Sequence, residues 1–167
     1  MKFIFEIHND KFEIHNDKFE VNKILILDRD GVVIEDTGYP HKIKELRFEI
    51  NNIKKIINFM KKNDFNLCGF ATNQSGVGRG YFSENQFWIC HNHIIETCRK
   101  NGLEIDFTAV NFFKSTSYYR KPNPGMINQI KYFYSVNSKN IFFIGDKSSD
   151  EKAAKNATVN YNFIDQI

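Results

Sequence analysis

The chain has 167 residues, 41% hydrophobic and 26% charged, with a formal net charge of +3. These values are typical of one folded domain, and a charge this small favours anionic small molecules without predicting nucleic-acid binding. No apolar run approaches the roughly 20 residues of a membrane span, and Glu6 and Asp10 interrupt the segment that a secretory signal would keep apolar. We therefore expect a cytoplasmic protein without membrane or nucleic-acid partners.

The N-terminus carries a tandem repeat. FEIHNDK occupies residues 5–11 and again 12–18, and a partial copy, FEVNK, occupies 19–23. Units this short do not form a solenoid, but the Phe-x-Ile alternation is compatible with an edge strand as well as with disorder. We divide the chain into an extension, residues 1–22, and a domain, residues 23–167, and expect deletion of residues 5–18 to leave turnover intact.

Strand and helix patterns alternate from residue 23 onward. Continuous apolar or β-branched runs predict strands, and apolar residues at helical spacing predict helices, one of them capped by Ser83. The alternation predicts an α/β fold with a parallel sheet covered by helices on both faces. The predicted strands are 24–27, 65–72, 105–113, 140–146 and 158–164, and the predicted helices are 50–63, 83–98, 124–134 and 150–156.

Three cysteines, Cys68, Cys90 and Cys98, lie within these predicted elements and lack metal-site spacing. They predict buried free thiols in a reducing compartment.

The first predicted strand ends in Asp28-Arg29-Asp30-Gly31. The carboxyl ends of parallel strands form the ligand cleft of such sheets. One carboxylate there can attack phosphorus while the other donates a proton to the leaving oxygen. In isolation the same residues would also suit a plain turn, since Gly31 permits a sharp bend.

The second strand ends in Thr72-Asn73-Gln74-Ser75, where a hydroxyl and main-chain amides can bind phosphate oxygens. The glycine-rich GVGRG that follows is similar to a dinucleotide loop. However, Tyr81 stands where that loop needs its third glycine, which argues against dinucleotide binding.

Charged residues follow the next two strands. Arg120 and Lys121 can neutralise a phosphoryl group, although an Arg-Lys pair is more often solvated surface. Asp146, with Lys147 and Asp150 nearby, can complete an oxygen-rich site for Mg²⁺. Each segment alone has a structural alternative, but together at one sheet edge they predict a phosphoryl-transfer site.

These four segments resemble the four motifs of the haloacid dehalogenase superfamily of phosphatases, over about residues 23–157. LDRDGVV, DTGYPHKI, TNQSGVGRGYF, RKPNPGM and GDKSSDEKAAKNA are similar to the subfamily of heptose bisphosphate and histidinol-phosphate phosphatases. The resemblance implies a three-layer Rossmann-like parallel sheet without a large cap domain. It also implies hydrolysis of a sugar phosphate, with the 7-phosphate of D-glycero-D-manno-heptose 1,7-bisphosphate favoured over histidinol phosphate.

The resemblance also implies residue roles. Asp28 would be the nucleophile and Asp30 the general acid, while Thr72 and Lys121 would stabilise the transferring phosphoryl group. Mg²⁺ would be held by Asp28, Asp146 and the main-chain carbonyl of Asp30. The implied substrate-binding residues are Arg29, Asp36, Thr37, Gly38, Tyr39, Asn73, Gln74, Ser75, Arg120 and Lys147.

The segment before Arg-Lys-Pro departs from the subfamily, whose members commonly carry a zinc loop of Cys and His residues there. Residues 111–119 contain neither residue type, so zinc is not expected. Tyr118 and Tyr119 could pack the shortened loop instead.

Two other classes of function fit parts of the pattern. A phosphoacceptor signalling domain also combines Asp, Thr or Ser and Lys on a parallel sheet, but the acid at Asp30 would speed loss of its phosphate. A silent binding module would not need Asp28, Asp30, Lys121 and Asp146 together. We expect a monomeric enzyme that supplies heptose for lipopolysaccharide or capsule.

Overall fold

A six-stranded sheet organises the molecule. In this computed structural model, residues 2–8 and 21–167 are described. The strands are β1 (Phe3–Ile7), β2 (Ile24–Leu27), β3 (Leu67–Asn73), β4 (Phe107–Asn111), β5 (Ile141–Gly145) and β6 (Asn160–Phe163), in the order β1-β4-β3-β2-β5-β6. The five strands predicted from the sequence pair in parallel, as expected.

Strand β1 makes the sheet mixed rather than wholly parallel. It runs antiparallel to β4, with Phe3 opposite Asn111 and Ile7 opposite Phe107. The predicted parallel sheet therefore gains an antiparallel edge strand, whose direction the sequence left open because strand periodicity does not specify a strand's partner or direction. Part of the first repeat copy lies in β1, whereas the second copy lies outside the described residues.

Among the described residues, five helices connect or follow the parallel strands. They are α1 (Ile50–Lys62), α2 (Ser75–Gly78), α3 (Glu84–Lys100), α4 (Gly125–Tyr134) and α5 (Ser148–Asn156). The hydroxyl of Ser83 accepts a hydrogen bond from the Gln86 amide and caps α3, as predicted. The one-turn helix α2 was not predicted.

Apolar side chains of β2 alternate between the two faces of the sheet and so build two cores. Leu25 and Leu27 pack with α1 and α3, and Ile24 and Ile26 pack with α4 and α5. This arrangement confirms the three-layer α/β architecture. The connection from β2 to α1, residues 28–49, holds only a 3-10 turn at Ile43–Glu45 and no cap domain.

The three cysteines are buried and free, as predicted. Within residues 2–8 and 21–167, every helix is too short or too polar to cross a bilayer.

Candidate active site

A cleft of about 360 Å³ opens at the carboxyl ends of the parallel strands. It is located where the α/β topology predicts a ligand site. Loops following β2, β3, β4 and β5 all contribute to its walls. The lining residues are Asp28, Asp30, Asp36, Gly38, Tyr39, Asn73, Gln74, Ser75, Arg120, Lys121, Lys147, Ser149 and Asp150.

Asp28 lies at the floor of this cleft, directly after β2. Its main-chain amide donates to the Ile144 carbonyl at 2.8 Å, which fixes the turn against β5. Its Oδ1 accepts from the Arg29 amide at 2.8 Å and lies 3.0 Å from Lys121 Nζ. Burial raises the pKa of the Asp28 carboxyl despite the opposing charge of Lys121. The ammonium group opposes this shift in pKa and so favours the ionised form that a nucleophile requires.

Lys121 is buried between two carboxylates, with its Nζ 3.0 Å from Asp28 Oδ1 and 2.7 Å from Asp150 Oδ1. Burial alone would lower the Lys121 pKa, but the two carboxylates together raise it above the ordinary value. The Asn73 amide fixes the main chain of Lys121 from both sides, because its Oδ1 accepts from the Lys121 amide at 3.2 Å and its Nδ2 donates to the Lys121 carbonyl at 3.1 Å. The main chain of Lys121 is thus positioned independently of the charge contacts of its ammonium group.

A cluster of three carboxylates, from Asp28, Asp146 and Asp150, lies beside Lys121. One oxygen of each lies within 4.8 Å of the others. Asp146 Oδ1 is buried and lacks a hydrogen-bond partner among the described residues, and burial raises the pKa of this carboxyl. Close-set oxygen donors with an unsatisfied buried atom fit Mg²⁺, which prefers carboxylates over nitrogen and sulfur ligands.

Gly31 makes room for this cluster. Its φ is +86°, and a Cβ at this position would collide with the Asp146 carboxylate. The glycine is therefore required both for the turn after Asp30 and for the approach of Asp146 to Asp28.

Asp150 is a site residue that the predicted set omitted. It is completely buried in the first turn of α5, where its Oδ2 accepts from the Lys147 amide at 3.1 Å. The sequence did not reveal that Asp150 belongs to the cleft, because an acidic residue in the first turn of a helix is already explained by its favourable interaction with the helix N-terminus. Its spacing of four residues from Asp146 was the only available signal.

The carboxylate of Asp30 lines the cleft and is held by Arg29 and Gln74. Arg29 donates to it through Nε and Nη2, at 3.1 and 2.9 Å, and Gln74 Nε2 donates to it at 2.6 Å. The same Gln74 nitrogen lies 2.9 Å from Thr72 Oγ1, so Thr72 is linked to Asp30 through Gln74. These donors hold the predicted acid at the edge of the cleft.

Charged and aromatic side chains form the entrance. Lys147 Nζ donates to Asp36 Oδ2 at 2.6 Å and connects the loops after β2 and β5. Burial alone would raise the Asp36 pKa, but this bond and the Gly38 amide bring it below the ordinary value. The Tyr39 ring packs edge-on against Tyr81 at a centroid distance of 5.0 Å.

The structure separates the predicted substrate-binding residues into two groups. All of them except Arg29 and Thr37 line the cleft. Arg29 is 1% exposed, and its guanidinium lies over the Phe87 ring at 5.4 Å, so its side chain supports Asp30 rather than facing a substrate. Thr37 is exposed outside the lining. The orientation of Arg29 depends on Phe87, which is distant in sequence, so the local motif could not reveal it.

The comparisons with known proteins agree on one family. The family model described as polynucleotide kinase 3 phosphatase matches residues 19–166. The chain is 34% identical over 137 residues to a D-glycero-alpha-D-manno-heptose-1,7-bisphosphate 7-phosphatase of Campylobacter jejuni, covering 82% of this chain and 78% of the relative. It is 32% identical over 152 residues to the enzyme of that name from Photorhabdus laumondii, covering 85% and 81%.

Solved structures show the same fold. A HAD-like phosphatase from Mesorhizobium loti superposes with a TM-score of 0.80 at 25% identity, covering 94% of this chain and 76% of that one. The D,D-heptose 1,7-bisphosphate phosphatase of B. bronchiseptica, solved with magnesium and phosphate, gives 0.75 at 28% identity, covering 83% and 78%. The chain therefore belongs to the polynucleotide kinase 3 phosphatase family and, with the heptose bisphosphate phosphatases, to the haloacid dehalogenase-like phosphatases.

Proposed function

We propose that this phosphatase removes the 7-phosphate of D-glycero-D-manno-heptose 1,7-bisphosphate through a phosphorylated Asp28. The observation that carries the proposal is the position of Asp28, which lies between the Lys121 ammonium and the carboxylates of Asp146 and Asp150 on the cleft floor. A nucleophile, a fixed cation and a set of metal-compatible oxygens together provide what phosphoryl transfer to an aspartate requires.

In the first step, an Asp28 oxygen forms a bond to phosphorus while the bond from phosphorus to the sugar oxygen breaks. Asp30 in its protonated form donates its proton to that leaving oxygen. Lys121, 3.0 Å from Asp28 Oδ1, stabilises the negative charge on the transferring group. Asp28, Asp146 and Asp150, with the main-chain carbonyl of Asp30, are the residues that would hold Mg²⁺, which offsets the repulsion between the carboxylate and the phosphate.

In the second step, Asp30, now ionised, takes a proton from water. That water attacks the phosphorus, the bond between phosphorus and Asp28 breaks, and inorganic phosphate leaves. Thr72 and the amides near Ser75 contribute donors for the phosphate oxygens. The hydrogen bonds from Arg29 and Gln74 to Asp30 keep the acid/base within reach of both steps.

The proposed substrate rests on the names of the relatives and on the charges at the entrance. Arg120 and Lys147 both line the cleft and could bind the phosphate that is not removed. Without a cap domain, the cleft has space for a small sugar at the level of Tyr39. We place the enzyme in the cytoplasm, where it would act as a monomer and supply heptose for surface polysaccharide.

Three alternatives remain testable. Histidinol phosphate or another small phosphate would use the same chemistry, and a 3′-phosphorylated oligonucleotide belongs in the comparison because of the description of the family model. A phosphoacceptor signalling domain would keep the phosphate on Asp28.

The test measures Mg²⁺-dependent phosphate release from heptose 1,7-bisphosphate, histidinol phosphate, an aryl phosphate and the oligonucleotide. Asp28→Asn serves as the matched control, since it preserves the shape of the side chain. We expect preference for the heptose and loss of release in the control. Preference for another compound would change the proposed substrate but leave the proposed mechanism in place.

A further inference from the structure

Strand β1 and Lys2, the residue before it, contact the two ends of the loop that leads into the cleft. This loop, residues 112–120, joins β4 to Lys121. At its start, the Phe112 amide donates to the Lys2 carbonyl at 3.1 Å. At its end, the Tyr119 ring stacks on the Phe3 ring with a centroid distance of 4.0 Å and an interplanar angle of 5°. The N-terminal strand is therefore attached to the segment directly before Arg120.

Arg120 depends on the conformation of this loop. Its Nη1 donates to the Phe113 carbonyl at 3.2 Å, so its side chain crosses from the end of the loop to its beginning. Lys121, by contrast, is fixed by Asn73 on the adjacent strand. A displacement of Tyr119 should consequently change the position of Arg120 more than that of Lys121.

Hydrogen bonds hold the main chain of the loop, and the apolar core packs against part of the Tyr119 ring. The Gly125 amide donates to the Tyr118 carbonyl at 3.0 Å, and Asn123 Nδ2 donates to the Ser117 carbonyl at 2.7 Å. The Tyr119 ring packs against the core cluster of β2 and α4, stacks on Phe3 and meets the edge of Tyr118. Phe3 therefore supplies a stacking contact with the Tyr119 ring that none of these hydrogen bonds provides.

We propose that Phe3 is a positioning residue, which aligns Arg120 for substrate binding through its stack on Tyr119. The inference rests on the proposed function, in which Arg120 binds the substrate. Aromatic stacks in this geometry are stabilising beyond the area they bury, so removal of the Phe3 ring loosens Tyr119. The effect belongs to binding rather than to the chemical step, because Lys121 and Asp28 are fixed separately.

Strand β1 offers a matched control two residues away. Phe5 lies on the same face of β1 and is half-buried like Phe3, but its ring contacts Phe107, Phe133 and Tyr134 instead of the loop. Phe3→Ala and Phe5→Ala therefore remove equal side chains from the same strand, and only the first removes the contact with Tyr119. Phe3→Leu and Phe5→Leu provide a milder pair should either alanine variant fail to fold.

The kinetic experiment measures kcat and KM for heptose 1,7-bisphosphate in these variants, with and without Arg120→Ala. We expect Phe3→Ala to raise KM about fivefold with kcat within about twofold of the wild type, as contacts of this size couple residues by about 1 kcal/mol. Phe3→Tyr should restore the wild-type KM, and Phe5→Ala should leave KM unchanged while lowering the Tm. In the Arg120→Ala background, Phe3→Ala should have no further effect. Equal KM changes in the Phe3 and Phe5 variants, or an effect that persists without Arg120, would overturn the proposal.

Amide hydrogen exchange decides the same question without a substrate. Phe3→Ala should speed exchange in residues 113–120 more than Phe5→Ala does, and identical exchange in this loop would contradict the positioning role. If the wild type did not cleave the heptose, the substrate assignment would fail, whereas the exchange comparison would still decide whether Phe3 holds the loop.

Discussion

The Asp150 carboxylate contacts two parts of the site, the Lys121 ammonium and the carboxylates proposed to hold Mg²⁺. It forms an ion pair with Lys121 at 2.7 Å and belongs to the cluster with Asp28 and Asp146. Asp150→Asn keeps the cap on the Lys147 amide possible but removes the charge. We expect the Mg²⁺ concentration for half-maximal phosphate release to rise about tenfold or more, because changes around bound metals have effects of this size.

The control for Asp150 is its neighbour. Glu151→Gln removes a charge from the same turn of α5, but this side chain is exposed and outside the cleft lining. Mg²⁺ titrations of both variants and the wild type should separate them. Identical titration curves for Asp150→Asn and the wild type would remove Asp150 from the proposed metal site.

At the residue level, most of the cleft residues could be predicted from the sequence, because the carboxyl ends of parallel strands meet at one edge of the sheet. Asp28, Asp30, Asn73 and Lys121 meet in the cleft as expected from this rule. Arg29 could not be assigned in this way. Whether its side chain faces the cleft or the core depends on packing against Phe87, 58 residues later in the chain.

At the level of elements, the N-terminal strand connects the repeat to the core. Phe3, Phe5 and Ile7 pack on the same apolar cluster as β2 and α4, so β1 is part of the fold. The expectation that deletion of residues 5–18 would leave turnover intact therefore needs revision. That deletion puts FEVNK directly after Ile4, so that only two residues would join a strand ending in FEV to Ile24. Two residues are too few to cross the three strand spacings between β1 and β2, so β1 would lose its place in the sheet.

A shorter deletion separates the strand from the repeat. Deletion of residues 12–18 keeps all residues of β1 and leaves nine of the 16 residues that join Ile7 to Ile24. Nine residues can extend about 30 Å, more than the roughly 14 Å of three strand spacings between β1 and β2. We expect this variant to retain the wild-type Tm and turnover, whereas deletion of residues 5–18 should lower the Tm by at least several degrees. Equal Tm values for the two variants, measured by thermal unfolding, would show that β1 contributes little.

The boundaries of the elements illustrate what periodicity can predict. The buried run Ile24–Leu27 was predicted to the residue, since four continuous apolar residues before an Asp leave no other strand. The edge strand β1 was left open between a strand and disorder. Its pairing depends on Phe107 and Tyr119, which lie about 100 residues away and which no local pattern includes.

At the level of the whole molecule, two imidazoles link the end of β1 to the centre of the sheet: His91 is buried and His8, directly after β1, is partly buried. His8 Nε2 and His91 Nε2 both lie 2.8 Å from Thr108 Oγ1. Burial lowers the pKa of His91 well below its ordinary value, and Arg29 and His8 lower it further. Burial, followed by Arg99, lowers the pKa of His8 to about 4. Both imidazoles are therefore neutral in the folded protein at neutral pH.

These pKa values predict a loss of stability in acid. The unfolded chain binds protons on both imidazoles below about pH 6.5, whereas the folded chain does so only at lower pH. Their contribution to stability is complete above about pH 6.5 and decreases as the pH falls. We expect His91→Gln to reduce the dependence of the unfolding free energy on pH by up to about 1.4 kcal/mol per pH unit between pH 6 and 5.

Urea unfolding at pH 5, 6 and 7 in EDTA measures this dependence. Phe87→Leu is the control, because Phe87 stacks on His91 at 5.0 Å and its loss disturbs the same cluster without removing a titratable group. This control should be less stable than the wild type at every pH with an unchanged slope. A slope in His91→Gln that equals the wild-type slope would show that His91 does not titrate on unfolding.

The central claim is that Asp28 carries the phosphoryl group during turnover. Acid quenching of a single turnover, followed by mass spectrometry of the peptide containing Asp28, tests it most directly. We expect phosphate on Asp28 in the wild type during turnover and none in Asp28→Asn. In Asp30→Asn, this phosphate should form more slowly and also be lost more slowly, because Asp30 serves both steps. Phosphate release by the wild type without any phosphorylated Asp28, or with the phosphate on another residue, would contradict the account.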